Sequence, residues 1–106
     1  MSDYKEYAEV PAYEQAVYKD GMVSNDRQGV LIWAGKYAAK PPAVGEKVNV
    51  IINNCGPAVV IGYFSQDGFL GLRVQHDNPP AWYLKQNGGN VPGHVFGPEF
   101  KPLEAK

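Results

Sequence analysis

The chain has 106 residues, of which 44% are hydrophobic and 20% charged, and this composition is typical of one globular domain with its own core. The formal net charge is −1, and the lysines and arginines are scattered singly. Nucleic-acid-binding proteins usually carry a basic stripe that neutralises phosphates, so this charge pattern weakens the hypothesis that the protein binds nucleic acid. Because Cys55 is the single cysteine, an internal disulfide is excluded.

The sequence also lacks the patterns of secreted and membrane proteins. Its first ten residues are polar and acidic, unlike a signal peptide, and no apolar run approaches the roughly 18 residues of a membrane-spanning helix. We therefore expect a cytoplasmic protein that makes no membrane contact.

Residues 1–28 are predicted to form an N-terminal extension of uncertain structure, and residues 29–106 a small β-barrel domain. Residues 11–23 fit either a helix that ends before a glycine or a hairpin that turns at Asp20-Gly21. Their valine and tyrosine favour extended structure. The tyrosines of the extension either pack as an arm on the barrel or on a neighbouring subunit, or lie in a frayed tail. They are Tyr4, Tyr7, Tyr13 and Tyr18.

Short apolar runs between turn residues predict the strands of the domain. They lie at 30–37, 48–52, 58–64, 69–74 and 81–85, and short closing elements follow at 94–96 and 99–103. Asp67-Gly68 is the strongest hairpin signal, because this pair tolerates the positive φ angles of tight hairpin turns. Gly62 and Gly71 allow the bends that a small sheet needs to close. We predict an all-β fold, a small antiparallel barrel of five to six strands.

Three segments together resemble a Src-homology-three-like barrel: GEKV at 45–48, VIGY at 60–63 and GFLGLRV at 68–74. The layout is similar to KOW-type domains and to the type II dihydrofolate reductases. Those reductases build one active pore from four barrels with a Val-Gln-Ile-Tyr strand. The corresponding residues here, AWYL at 81–84, share only an aromatic, so no catalytic residue is carried over. The layout alone suggests an oligomeric-pore enzyme, which is the third hypothesis for function after the two that are described below.

No catalytic, metal or cofactor motif is found in the sequence. His76 and His94 lie far apart and Cys55 is the only thiol, whereas zinc ligands commonly come in short-spaced pairs. Cys55 has no charged neighbour that would lower its pKa, which favours a small turn residue. Four acidic residues lie beside turns, where carboxylates bond to the backbone: Glu46, Asp67, Asp77 and Glu99. We expect no metal site, no cofactor and a non-catalytic role.

Aromatic residues on the predicted strands are the strongest functional signal. Trp82 and Tyr83 are adjacent, so strand alternation would not send both rings into one core. Tryptophan and tyrosine are frequent anchors at protein interfaces. The leading hypothesis is a binding module that contacts a protein partner or a second copy of itself through an exposed aromatic face. That face is predicted to contain Pro80, Trp82, Tyr83, Trp33 and Tyr63.

Two alternatives to this face remain open. The rings could all be covered within the fold, with the N-terminal extension lying over one side of the sheet. The second functional hypothesis is a nucleic-acid-binding barrel, which requires the cationic residues to converge on one face. They are Lys36, Lys40, Lys47, Arg73 and Lys85.

Overall fold

A computed structural model of the protein describes residues 4–16, 20, 23 and 29–103. Most of the regular structure in these residues is β-strand. The strands are β1 (Lys5–Tyr7), β2 (Glu14–Gln15), β3 (Ile32–Trp33), β4 (Lys47–Val50), β5 (Gly56–Gln66), β6 (Phe69–His76), β7 (Gly93–Phe96) and β8 (Phe100–Pro102). One helix, α1 (Ala81–Asn87), follows β6, and 3-10 turns span Ile52–Asn54 and Gly97–Glu99. The prediction of a β-dominated domain is confirmed.

The long hairpin of β5 and β6 forms the centre of the sheet. Its antiparallel register runs from Ala58 opposite His76 to Gln66 opposite Phe69. The turn residues Asp67 and Gly68 have φ angles of 54° and 86°, as the Asp-Gly pair predicts. The register shifts by one residue between Val60 and Gly62, which is the irregularity that a glycine inside a strand indicates.

Four short strands pair directly with this hairpin. β4 and β1 pair with successive parts of β5, while β3 and β7 pair with successive parts of β6. β2 adds to β3 and β8 adds to β4, so the main path of the sheet runs β2-β3-β6-β5-β4-β8. Among the described residues this sheet is not closed, so the predicted closed barrel is not confirmed.

The sequence predicts a strand at residues 81–85, and this prediction is wrong because these residues begin α1. Pro80 precedes the helix with extended backbone, and Gly88 ends it in the left-handed conformation with φ 73°. The residues between them include good helix formers. An apolar run this short does not distinguish strand from helix by periodicity, and the flanking proline and glycine decide.

The N-terminal extension contributes two strands to the same sheet. Within residues 11–23 the structure has a strand at Glu14–Gln15, which pairs in parallel with β3, so the preference for extended structure is confirmed at these two residues and the hairpin is not tested. The proposed Asp20-Gly21 turn and Tyr18 lie outside the described residues, apart from Asp20 itself. Tyr7 packs against the core from β1, so this part of the extension lies on the domain.

The main core lies on one side of the hairpin. Register places Tyr7, Tyr63, Leu72 and Val95 in one row across four strands. The buried apolar residues of this cluster are Trp33, Val48, Val50, Cys55, Ala58, Val60, Tyr63, Leu70, Leu72, Val74, Val95 and Phe100. Burial of these side chains is the main stabilising contribution to the fold.

Trp33 and Tyr63 belong to this core, and their predicted place on an exposed face is wrong. Trp33 is 0% exposed and Tyr63 is 2% exposed. Trp33 Nε1 donates a hydrogen bond to the Ala38 carbonyl at 3.0 Å, and the Tyr63 hydroxyl donates to the Pro42 carbonyl at 2.7 Å. Strand alternation turned these rings inward, and nearby backbone carbonyls satisfy their polar atoms.

The opposite side of the hairpin carries a second, smaller layer around Phe64, which is 1% exposed. Phe64 lies in the register row of Glu6, Gly71 and Phe96. The rings of Tyr4, Phe96 and His94 pack on it at centroid distances of 5.7, 5.1 and 5.0 Å. The absence of a side chain at Gly71 makes room for the Phe64 ring.

We expect Gly71→Ala to lower the free energy of unfolding by about 1–3 kcal/mol, the usual cost of overpacking. A Cβ at this position would lie 2.4 Å from Phe64 Cε1 and 2.7 Å from the Val95 carbonyl oxygen. The matched control is Gly62→Ala, whose Cβ would lie 3.2 Å from the Tyr7 carbonyl oxygen and should cost less. Urea denaturation of both variants measures the difference. An equal loss in the two would contradict this account of Gly71.

Candidate functional site

Helix α1 carries the most exposed apolar side chain of the predicted aromatic face. None of its residues is buried. Trp82 is 45% exposed and Leu84 is 39% exposed, while Tyr83 between them is half-buried. Successive helix positions are rotated by about 100°, so Trp82 and Leu84 lie on either side of Tyr83. We call Pro80, Trp82, Tyr83 and Leu84 the α1 surface.

Among the described residues, an aromatic contact connects α1 to the sheet, and hydrogen bonds join the loop that follows α1 to the helix and to β6. The Tyr83 ring packs edge-on against His76 at the end of β6, with centroids 4.8 Å apart and planes at 80°. The Tyr83 hydroxyl donates to the Val91 carbonyl at 2.7 Å. Within the following loop, Asn90 Nδ2 donates to the His76 carbonyl at 3.0 Å. Gln75 Nε2 in turn donates to the Asn90 carbonyl at 2.9 Å.

Burial favours the neutral forms of the titratable groups where α1 meets the sheet. Burial lowers the pKa of His76, against a smaller opposing effect of the Asp77 carboxylate. Burial likewise raises the pKa of the Cys55 thiol and of the Tyr83 phenol. A raised thiol pKa is the opposite of what a reactive cysteine requires, so the interpretation of Cys55 as a small turn residue fits this environment.

The structure brings together only part of the predicted aromatic face. Pro80, Trp82 and Tyr83 are consecutive or nearly so, and the Trp82 and Tyr83 rings contact each other at 5.8 Å with planes at 72°. Trp33 and Tyr63 lie in the core instead. Leu84 was missed as a surface residue because strand alternation, which does not apply to a helix, was used to assign the faces.

A polar cluster on the outer layer of the sheet was also missed. The Tyr4 hydroxyl donates to Glu6 Oε2 at 2.7 Å and lies 2.7 Å from His94 Nε2. Arg73 Nη1 lies 3.6 Å from Glu6 Oε1, in a partly exposed ion pair. Because the cluster depends on β1 pairing with β5 and β7 pairing with β6, no sequence-local signal indicates it.

Burial and charge both shift the titration of this cluster. Burial lowers the pKa of His94, the Arg73 guanidinium lowers it further, and the Glu6 carboxylate opposes both. Burial and the hydrogen bond to Glu6 raise the pKa of Tyr4. These shifts favour the neutral forms of the imidazole and of the phenol beside the ion pair of Glu6 and Arg73.

The cationic residues of the nucleic-acid hypothesis are not a uniform basic face. Lys47 Nζ bonds to Asp77 Oδ2 at 2.7 Å, and Arg73 pairs with Glu6. Lys36 Nζ lies 5.5 Å from the Tyr37 ring centroid. Lys40 and Lys47 line an open groove of about 280 Å³ together with Glu46. Two of the five predicted cations thus already have acidic partners, which leaves less charge for phosphate contacts.

The acidic residues behave largely as turn and surface residues. Glu99 accepts a hydrogen bond from the Phe96 backbone N–H at 2.7 Å, which caps the 3-10 turn before β8. Within residues 4–16, 20, 23 and 29–103, no group of three or more histidine, cysteine, aspartate or glutamate residues could hold a metal ion. In the same part of the chain, no helix is long and apolar enough to span a bilayer.

Comparison of the chain with protein-family models, with curated proteins and with solved structures found no match. The proposed correspondence between residues 81–84 and the pore-lining strand of the type II reductases is wrong, because these residues are helical. The oligomeric-pore hypothesis itself is based on the layout of the barrel and stays a prediction.

We expect charge substitutions in the outer cluster to move the pKa of His94 in opposite directions. Glu6→Gln should lower it, because the opposing carboxylate is removed, and Arg73→Met should raise it, because the repelling cation is removed. NMR titration of the imidazole protons measures both shifts. His76 provides the internal control, since neither residue contributes to its shifted pKa. Shifts of the same sign in both variants would contradict the proposed electrostatics.

Proposed function

We propose that the protein is an interaction module that makes its protein contact through the α1 surface, and that the contacted protein is a second copy of the chain. The observation that carries this proposal is the 45% exposure of Trp82 on a helix with no buried residue. Covering apolar area is worth roughly 25 cal/mol per Å², so an exposed tryptophan offers a large gain to any partner that covers it. Tryptophan is accordingly enriched at interface hot spots.

The contacts around Trp82 make it a suitable anchor. Its ring packs edge-on against Tyr83, and Tyr83 is held by His76 and by the hydrogen bond to Val91. A ring that is already oriented loses less conformational freedom when it binds. Leu84, which is 39% exposed, adds apolar area on the other side of Tyr83.

The small net charge of the chain favours association with a second copy over association with a strongly charged partner. The chain carries a formal net charge of −1, so long-range repulsion between two copies is small. Within α1 the single charged residue is Lys85. A twofold axis would place the α1 surface of one copy against that of the other, and such isologous dimers are the commonest form of oligomer.

The resemblance to Src-homology-three-like barrels is part of the same proposal. The tight β5–β6 hairpin and the bulge at Gly62 support it. The passage from β7 through the 3-10 turn Gly97–Glu99 into β8 also supports it, since this segment connects a neighbour of β6 to a neighbour of β4. Fold analogy is a weak guide to function, so the assignment of an interaction role depends on the α1 surface.

We expect Trp82→Ala to weaken self-association by about 2 kcal/mol or more, which is about 30-fold in the dimer dissociation constant. Sedimentation equilibrium over a range of concentrations measures this constant. Folding stability should change by less than about 0.5 kcal/mol, as is usual for exposed positions. Leu84→Ala should weaken the dimer in the same direction.

Ile61→Ala is the matched control, because Ile61 is a similarly exposed apolar residue, at 37%, on β5. This variant should associate like the unmodified chain. The proposed self-association is overturned if the unmodified chain stays monomeric at all accessible concentrations. Equal weakening by the Ile61 and Trp82 variants would show that α1 is not the contact surface.

A further inference from the structure

His76 is a buried histidine at the junction of the sheet and α1. It is the last residue of β6 and is 4% exposed. Tyr83 covers one side of its ring, and the backbone of Gly93 lies close to another. A Cβ at Gly93 would lie 2.7 Å from His76 Nε2, so the lack of a side chain there allows the ring to fit.

The His76 ring has an unsatisfied polar atom. Nδ1 is fully covered and has no hydrogen-bond partner among the described residues. The His76 backbone carbonyl accepts a hydrogen bond from Asn90 Nδ2, so the main chain is fixed at this point, whereas Nδ1 of the ring makes no hydrogen bond to a described residue. A neutral imidazole tolerates such a site at a modest cost, whereas a buried imidazolium without a partner costs far more.

The neighbouring titratable groups are poorly placed to compensate a second proton on the ring. Asp77 is the charged group that favours the imidazolium, and its carboxylate is already bonded to Lys47 at 2.7 Å. The Tyr83 hydroxyl is committed to the Val91 carbonyl, and burial keeps the Cys55 thiol beside Tyr83 neutral. Ala58 of β5, opposite His76, and Gly93 of β7 carry no titratable side chain.

We propose that His76 is a proton-operated latch: protonation of its ring releases α1 and the loop at 88–92 from the end of the sheet. In its consequence for binding this inference rests on the proposed function, because release would remove the Tyr83 support of the α1 surface. The fold allows a local opening, since no residue of α1 is buried and its contact with the sheet is centred on the Tyr83 ring. Segments with few buried contacts open at lower free energy than the core.

The direction of the pH dependence follows from linkage. In the open form His76 has the ordinary pKa of 6.5, whereas burial lowers the pKa in the closed form. The open form therefore binds more protons, and lowering the pH favours it. Below about pH 6.5 the opening equilibrium constant should rise by up to about tenfold per pH unit, until the closed form also binds the proton.

Amide hydrogen exchange on the dilute monomer, corrected for intrinsic rates, tests the latch. A seven-residue helix is unstable in water once it leaves the sheet, so the Leu84 and Gly89 amides, which bond to the Pro80 and Leu84 carbonyls, should lose protection between pH 7 and pH 5. The Val60 amide, bonded to the Glu46 carbonyl, should keep its protection and serves as the reference for the core. Equal loss at all three amides would mean global unfolding and would overturn the proposal.

Substitution of each histidine separates the latch from other acid effects, because the chain has only two. His76→Phe keeps an aromatic ring beside Tyr83 and should abolish the pH dependence of α1 exchange. His94→Phe, the matched control on the outer layer, should leave it unchanged. If His76→Phe does not fold, NMR titration of His76 in the unmodified chain decides: a pKa at or above 6.5 in the folded state overturns the latch.

Failure of the latch and failure of the proposed function give different results. The exchange experiment is performed on the monomer, so it supports or overturns the latch even if the chain does not self-associate. If the dimer forms, its dissociation constant should rise as the pH falls from 7 to 5 in the unmodified chain and in the His94 variant, but not in His76→Phe. A dimer with the same pH dependence in His76→Phe as in the unmodified chain would overturn the latch and leave the α1 contact intact.

Discussion

The register of the β5–β6 hairpin determines the placement of almost every other feature of this fold. The positive φ angles of Asp67 and Gly68 close a tight turn, and the pairing then continues to Ala58 and His76 at the far end. A shift of one strand by one residue would turn all of its side chains to the opposite face of the sheet. A shift of β5, for example, would turn Tyr63 away from Leu72 and the core and toward the outer layer.

From this register follow two layers of different character. The core side buries Trp33 and Tyr63 with their polar atoms bonded to backbone carbonyls. The outer side combines the buried ring of Phe64 with a small group of titratable side chains, and β1 provides part of its cover. The short N-terminal strand is thus a structural component of the sheet, because it covers Phe64 and supplies a partner for Arg73.

The far end of the hairpin has a different role, because α1 contacts the sheet there through the Tyr83 ring. The contact between Tyr83 and His76 joins an exposed apolar surface to a buried imidazole. The exposure of Trp82 and the burial of His76 therefore belong to one arrangement, in which the position of the helix depends on a neutral histidine. This coupling connects the proposed self-association of the chain with its proposed sensitivity to pH.

The sequence by itself determined the β-dominated fold, the central hairpin and the irregularity of β5 at Gly62. These features depend on local chemistry: the alternation of apolar residues, the turn preference of Asp-Gly and the freedom of glycine. Only the tertiary structure decided that residues 81–87 are helical, that Trp33 and Tyr63 are buried, and that Tyr4 meets His94. The physical reason is that a short apolar run is compatible with either helix or strand, and that burial and long-range contacts depend on which strands pair.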